Sequence, residues 1–318
     1  MISRRTALLM TLPPLMWAGN AVVGRLLVGH VPPLTLNFVR WTLAALLLAP
    51  WAWQALRDWR VIVASWPYFL AIGCLGVGAY NAFQYLALTT STPLNVTLIA
   101  ASGPLWMLAV GALLFGQAAT PRQMGGALLS LLGVLLVVAR GRWDTLAQVQ
   151  FVAGDLYILI AALLWAIYSW LLVQPPARLR PPPLQTLQAW GWAGVLLVQM
   201  LFGLLAAGAA AAAEQVWMPT AAIDWRNPWL LAALLFVAVG PSIIAYRSWG
   251  LGVALGGPAL AAFFNNLTPL FAAVLSALLL GETPRGYHAL AFGLIVAGIA
   301  VSIKRKSTSA PSSRAAPR

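Results

Sequence analysis

Residues 93–117 read PLNVTLIAASGPLWMLAVGALLFGQ, and residues 258–282 read PALAAFFNNLTPLFAAVLSALLLGE. Laid over one another at an offset of 165, Pro93 falls on Pro258, Pro104 on Pro269, Leu105 on Leu270 and Gly116 on Gly281. Ala112, Leu113 and Leu114 also meet Ala277, Leu278 and Leu279, which weighs little in a chain so rich in Leu and Ala. The two Pro pairs and the Gly pair weigh more. After a short gap Pro121-Arg122 matches Pro284-Arg285, and Gly133 matches Gly298 again at 165. Near the front, Trp17 pairs with Trp165. The chain contains the same unit twice.

That unit is built for lipid. Of 318 residues, 61% are apolar and only 8% charged, where a soluble domain carries roughly 25% charged residues. Mean hydropathy is +0.85. So few charges cannot cover a globular surface in water. A soluble enzyme, a nucleic-acid-binding domain and a disordered protein are excluded as the main reading, and a polytopic, all-α membrane protein remains. Ten segments are apolar enough to span: 7–29, 33–53, 66–88, 92–116, 121–139, 152–173, 184–209, 229–251, 257–281 and 284–303. Linkers such as His30 to Pro32 and Thr89 to Ser91 are short enough to force consecutive helices antiparallel. The tail after Lys304, rich in Ser, Ala, Pro and basic residues, reads as disordered. Arg4 and Arg5 before an apolar run resemble a signal sequence. The run is long enough to span, however, and no clear cleavage site follows, so they read as cytoplasmic anchors.

The net charge of +13 reads as topology rather than as affinity for nucleic acid. With both termini in the cytoplasm, Arg4, Arg5, Arg57, Arg60, Arg122, Arg178, Arg180 and the basic tail lie inside. Arg140, Arg142, Arg226 and Arg285 lie outside, as do or nearly do Asp144, Asp155, Glu214, Asp224 and Glu282. This is the positive-inside pattern. Cys74 is the one cysteine; no internal disulfide can form, and it reads as buried and inert. Trp51, Trp53, Trp59, Trp66, Trp143, Trp225 and Trp229 cluster near span ends, as interfacial anchors do.

Five spans per copy is an odd number, so the second copy starts on the opposite face and is inverted. Residues 1–141 form the first repeat, 142–304 the second, and 305–318 the tail. Inverted repeats are typical of transporters, with the solute site at the midplane between the halves; duplication without transport is the alternative. The first span holds Trp17-Ala-Gly-Asn20, and the second opens on Pro32-Pro33-Leu34 and continues to Arg40-Trp41. Each fourth span has Pro-Leu and a closing Gly, a Pro follows, and the fifth spans carry Gly126 and Gly133, then Ala291 and Gly298. This pattern resembles the EamA family of the drug/metabolite transporter superfamily over about residues 5 to 304. The family's Gly-Glu stands as Gly281-Glu282 in the second copy but as Gly116-Gln117 in the first, against a symmetric pair of carboxylates. The resemblance implies ten helices around a cavity lined by spans one, three, four, six, eight and nine. It also favours export of amino acids or similar metabolites.

Candidate site residues follow from polarity at depth. Pro104 and Pro269 lie near the middles of spans four and nine. A mid-helix proline frees the carbonyl four residues back, here those of Ala100 and Asn265, and such groups face protein or a wet cavity in a membrane. The paired prolines read as a hinge, with a passive kink as the alternative. Asn265 and Asn266 add amides at that height. Tyr80, Asn81 and Gln84 make a broad polar face in span three; Trp17 and Asn20 do so in span one, Trp165, Tyr168 and Ser169 in span six, Ser242 and Tyr246 in span eight. Together they are expected to line a solute cavity with aromatic walls, although interhelical hydrogen bonding explains any single one. Arg25 and Arg247 are expected to snorkel to the two interfaces. Arg40 lies about 10 Å past Pro33 along a helix. It is expected to act as a structural charge, bonding groups within its own repeat, with solute contact the lesser option.

Catalysis needs an activated nucleophile or a metal. No Asp or Glu lies at the centre of a span, and His30 and His288 sit near span ends. The chain is therefore expected to be no enzyme and to need no metal or cofactor. Its expected partners are a small-molecule solute, suited to a zwitterion, and the lipid bilayer, with no nucleic acid; a monomer suffices. Glu282 and Asp155 are the plausible coupling acids, and their place near the outer face favours facilitated diffusion. The competing functions are a membrane receptor or structural protein that binds without transport, and a multidrug or other metabolite carrier of the same fold.

Overall fold

The computed structural model describes residues 3–91, 99–139, 141–142, 144, 152–217, 223–280 and 286–302. Among these every regular element is helical. The main helices, in chain order, are α1 (Arg4–Leu26), α2 (Pro33–Ala52), α3 (Trp66–Thr90), α4 (Gly103–Phe115), α5 (Pro121–Val138), α6 (Ala153–Leu171), α7 (Leu184–Trp217), α8 (Pro228–Gly256), α9a (Pro258–Asn265), α9b (Thr268–Leu280) and α10 (Gly286–Ser302), with short helical pieces at Trp53–Asp58, Trp59–Ala64 and Ala177–Leu179. Seven stretches are long and apolar enough to cross a membrane, and α4 and α10 are shorter apolar helices. The expected fourth and tenth spans include 92–98, 284–285 and 303, which lie outside the described residues. So do Arg140, Trp143, Gly281, Glu282, the tail and the side chain of Arg25.

Local chemistry sets the helix starts. Pro33 and Pro228 open α2 and α8, where a missing N–H costs nothing. The Asn227 side chain accepts from the N–H groups of Trp229 and Leu230 at 3.0 and 3.4 Å. Asp155 accepts from Val152 N at 2.9 Å and from the Ser91 hydroxyl. At Gly257, φ is +83°, which lets the chain turn from α8 into α9a within one residue.

Three differences from the sequence expectation stand out. α7 runs on to Trp217, past the expected 209, with a non-helical residue at Gly191. Its extension puts Glu214 on a helix and buries it. The fourth and ninth spans are broken rather than kinked, with turns at Ser102 and at Asn266 and Leu267. Pro104 and Pro269 stand in the first turn after each break, because a proline is tolerated there and not in a continuous helix. Cys74 is half-buried rather than buried.

The two copies interlock. α1 packs on α8, α9a and α9b, and α6 packs on α3 and α4. Equivalent helices also pair with each other: α2 with α7 and α5 with α10. In the second pair a Cβ added at Gly126 would lie 2.6 Å from the Gly298 carbonyl, and one at Gly298 would lie 2.7 Å from the Gly126 carbonyl. Gly133 meets Ala291 in the same way. These backbones approach too closely for any side chain, the packing mode small residues allow between membrane helices. α3 and α8 each contain a π-helical segment, at Cys74–Ala79 and Ala238–Ile244, so this irregularity too is duplicated.

Candidate functional site

At the junction of the copies lies an aromatic cluster around Trp165. Its ring is 4.6 Å from Tyr80, 5.0 Å from Tyr168, 5.1 Å from Trp249, 5.2 Å from Trp17 and 5.5 Å from Tyr246. Trp17 meets it edge-on at 89°, the arrangement that ring quadrupoles prefer. Trp165 is buried, and its indole N–H has no hydrogen-bond partner among the described residues. Beside it is a cavity of about 30 Å³ lined by Tyr80, Ala100, Gly103, Met107, Ile158, Ala162, Trp165, Trp249, Ala262 and Asn265. The helix breaks supply Ala100, Gly103 and Asn265. The freed Asn265 carbonyl accepts from the Thr268 hydroxyl at 2.7 Å, and the Asn265 side-chain oxygen from the same group at 3.3 Å.

A second polar group forms around Arg40, which is fully buried. Its Nε and Nη2 donate to Ser242 Oγ at 3.0 and 2.8 Å. Nη1 donates to Tyr85 Oη at 2.7 Å, Asn81 Oδ1 at 3.2 Å and Asn20 Oδ1 at 3.4 Å. Asn20, Asn81 and Tyr85 belong to the first copy and Ser242 to the second. The Asn81 amide also donates to the Tyr246 hydroxyl at 3.1 Å, across a separation of 165 residues. Equivalent positions of the two copies thus touch. Tyr246 Oη donates to the Gly76 carbonyl, and the Trp17 indole donates to the Pro241 carbonyl at 3.2 Å. Gly76 and Pro241 are themselves equivalent. Each π-helical segment therefore has its irregular backbone satisfied by a side chain, as membrane depth demands.

Of the sequence candidates, Tyr80, Trp165 and Asn265 line the small cavity, and Trp17, Tyr168 and Tyr246 back its aromatic wall. Asn20 and Asn81 serve Arg40. Ser169 accepts from the Trp249 indole at 3.2 Å, while Tyr168 pairs with Gln199 at 3.1 Å. Asn266 points away from the cavity cluster and bonds Ser130 of α5 at 2.9 Å. Gln84 is half-buried and does not line this cavity. Arg247 is exposed and lies 4.9 Å over the Trp192 ring.

Sequence reasoning missed Tyr85, Trp249, Gln199 and Glu214. The first two were within reach: Tyr85 is four residues after Asn81 and Trp249 three after Tyr246, so each extends a face already marked. Glu214 was not, because its role depends on a partner far away in sequence. Its carboxylate accepts from Leu34 N at 2.9 Å, Thr35 N at 2.7 Å and Thr35 Oγ1 at 2.9 Å, closing the N-terminus of α2. It also borders a larger cavity of about 340 Å³, lined among others by Gly24, His30, Pro33, Leu36, Tyr85 and Asp224.

A family model described as the EamA-like transporter family matches residues 4–139 and 152–304. The chain belongs to the EamA-like transporter family. This EamA-like chain is 27% identical to an uncharacterized transporter of Archaeoglobus fulgidus, over 94% of its length and 97% of the relative's. It is 26% identical to a probable amino-acid metabolite efflux pump of Salmonella typhimurium, over 95% and 96%. It is equally identical to the aromatic amino acid exporter YddG of Ancylobacter novellus, over 86% and 88%. A solved crystal structure of a protein 23% identical in sequence matches with a TM-score of 0.71 over 93% of this chain and 96% of the other, which shows the fold. Family and relatives make this EamA-like chain a multi-pass membrane transporter of metabolites rather than an enzyme.

Proposed function

We propose that the chain is an inner-membrane carrier of ten spans, with both termini cytoplasmic. Its two inverted five-helix repeats, 1–141 and 142–304, export amino acids by alternating access. The aromatic cavity at the repeat junction carries this reading. Trp165 offers an unpartnered indole N–H beside the Asn265 amide, within a wall of Tyr80, Trp17 and Trp249. A buried donor without an acceptor costs about 1–3 kcal/mol, so a solute that accepts from it is favoured there. The rings suit an aromatic side chain, in keeping with the name of the Ancylobacter relative. At about 30 Å³ the cavity holds about one water, so a solute enters only when the repeats part. The reciprocal contacts between equivalent helices supply the symmetry for such rocking, and the breaks before Pro104 and Pro269 supply its hinges.

The test is flux of labelled L-phenylalanine in proteoliposomes of purified protein. Tyr80→Ala and Asn265→Ala are expected to lose transport while inserting and purifying as the wild type does. Undiminished transport in both variants refutes the site. Saturable binding without flux in the wild type would favour the receptor reading instead.

A further inference from the structure

Arg40 is a full positive charge in a membrane-spanning helix, and its relative exposure is 0%. A buried charge is stable when paired, yet every acceptor bonded to Arg40 is neutral: one serine, one tyrosine and two asparagines. A guanidinium carries five N–H donors. Nε uses one of them on Ser242 and Nη2 uses another on the same oxygen. The two protons of Nη1 face Tyr85, Asn81 and Asn20. One N–H of Nη2 is left without an acceptor. Among the described residues no anion and no further acceptor meets the guanidinium, whose charge otherwise faces only the Trp41 and Tyr85 rings at 5.1 and 5.9 Å.

Its hydrogen bonds connect it to both cavities. Tyr85, the shortest partner of Arg40 at 2.7 Å, also lines the 340 Å³ cavity. On the other side, Asn81 links Arg40 to Tyr246, whose ring packs on Trp165 of the central cavity. Arg40 is thus bonded directly to a lining residue of the larger cavity and linked through Asn81 and Tyr246 to Trp165 of the smaller one. That larger cavity is also lined by the carboxylate residues Glu214 and Asp224, which repel multiply charged anions and attract an ammonium group. One cation behind a mouth bearing carboxylates selects a singly charged carboxylate, above all one on a zwitterion.

We infer that Arg40 is the carboxylate-recognition residue of the transport path, binding the solute's carboxylate through Nη2 as the solute passes between the larger and the central cavity. The inference rests on the carrier reading above and adds to it the residue that recognises the solute's carboxylate. Arginine suits the task because a charge-assisted N–H bond to a carboxylate is roughly twice as strong as a neutral one.

The experiment measures competition against labelled L-phenylalanine flux in proteoliposomes of the full chain. The competitors are unlabelled L-phenylalanine, 3-phenylpropionate and L-phenylalaninamide. In the wild type the amide is expected to compete at least tenfold more weakly than the amino acid, while 3-phenylpropionate retains competition. In Arg40→Gln that ratio falls towards one, and Arg40→Lys restores part of it. Should Arg40→Gln fail to fold, Arg40→Lys carries the residue assignment, and the wild-type ratio still tests carboxylate recognition. An amide that competes as well as the acid in the wild type overturns the inference and leaves the carrier reading intact. Absence of any L-phenylalanine flux overturns the amino-acid reading, and this inference with it.

Discussion

Replacing Glu214 with glutamine isolates the carboxylate that closes α2. In the native chain Oε1 accepts from Leu34 N, and Oε2 accepts from both Thr35 N and the Thr35 hydroxyl. Glutamine keeps one carbonyl oxygen and turns the other into an amide donor. The Thr35 hydroxyl can rotate to accept from that amide, but the Thr35 N–H cannot and is left facing a donor. An unsatisfied buried N–H costs about 1–3 kcal/mol. Loss of the negative charge at a helix N-terminus adds about 0.3–1 kcal/mol, and up to about 2 in a buried setting. The expected loss is therefore about 2–4 kcal/mol, centred on the first turn of α2. Purified Glu214→Gln should melt several degrees below the wild type, followed by intrinsic Trp fluorescence in detergent. Hydrogen exchange at the Leu34 and Thr35 amides should rise by roughly 30-fold or more, since 1.4 kcal/mol is a factor of ten. Gln215→Ala is the control: its amide reaches the Thr35 hydroxyl at 3.0 Å from an exposed position, so it should change little. Wild-type melting and unchanged exchange at those two amides would refute the reasoning.

Gly298→Ala puts a methyl group 2.7 Å from the Gly126 carbonyl and 2.9 Å from Ser130 N. Backbone cannot yield as a side chain can, so a loss of about 1–3 kcal/mol is expected, read as a lower melting temperature. Gly293→Ala on the same helix meets nothing within 4 Å and should melt like the wild type. An imposed pH gradient alone should not concentrate labelled L-phenylalanine in proteoliposomes. The buried carboxylates among the described residues, Asp155 and Glu214, are both committed to helix N-termini, and strong accumulation would show that an acid titrates in the path.

The repeat was legible because its markers, paired prolines and a paired glycine, are rare in a Leu/Ala background and act locally. Helical periodicity put Tyr80 and Trp165 on polar faces, the proline four residues on marked Asn265, and those residues meet at one cavity. What escaped depends on long-range geometry. Glu214 read as a loop acid because its partners, Leu34 and Thr35, lie some 180 residues away. A second partner for Arg40 from the other copy, Ser242, was hidden for the same reason. The proline positions were right, but proline's freedom to start a helix as well as to bend one left open that spans four and nine would break. Asn266 was grouped with Asn265 by adjacency, whereas neighbours on a helix face different ways; its amide goes to Ser130.

The central claim is that one cavity between the repeats opens to each side of the membrane in turn. Ala262 lines that cavity, and Cys74 is the sole native cysteine. In a Cys74→Ala background, Ala262→Cys should therefore react with a membrane-impermeant thiol reagent added from either face of oriented vesicles, with L-phenylalanine slowing both reactions. Reaction from one face only, with and without the amino acid, would contradict the account.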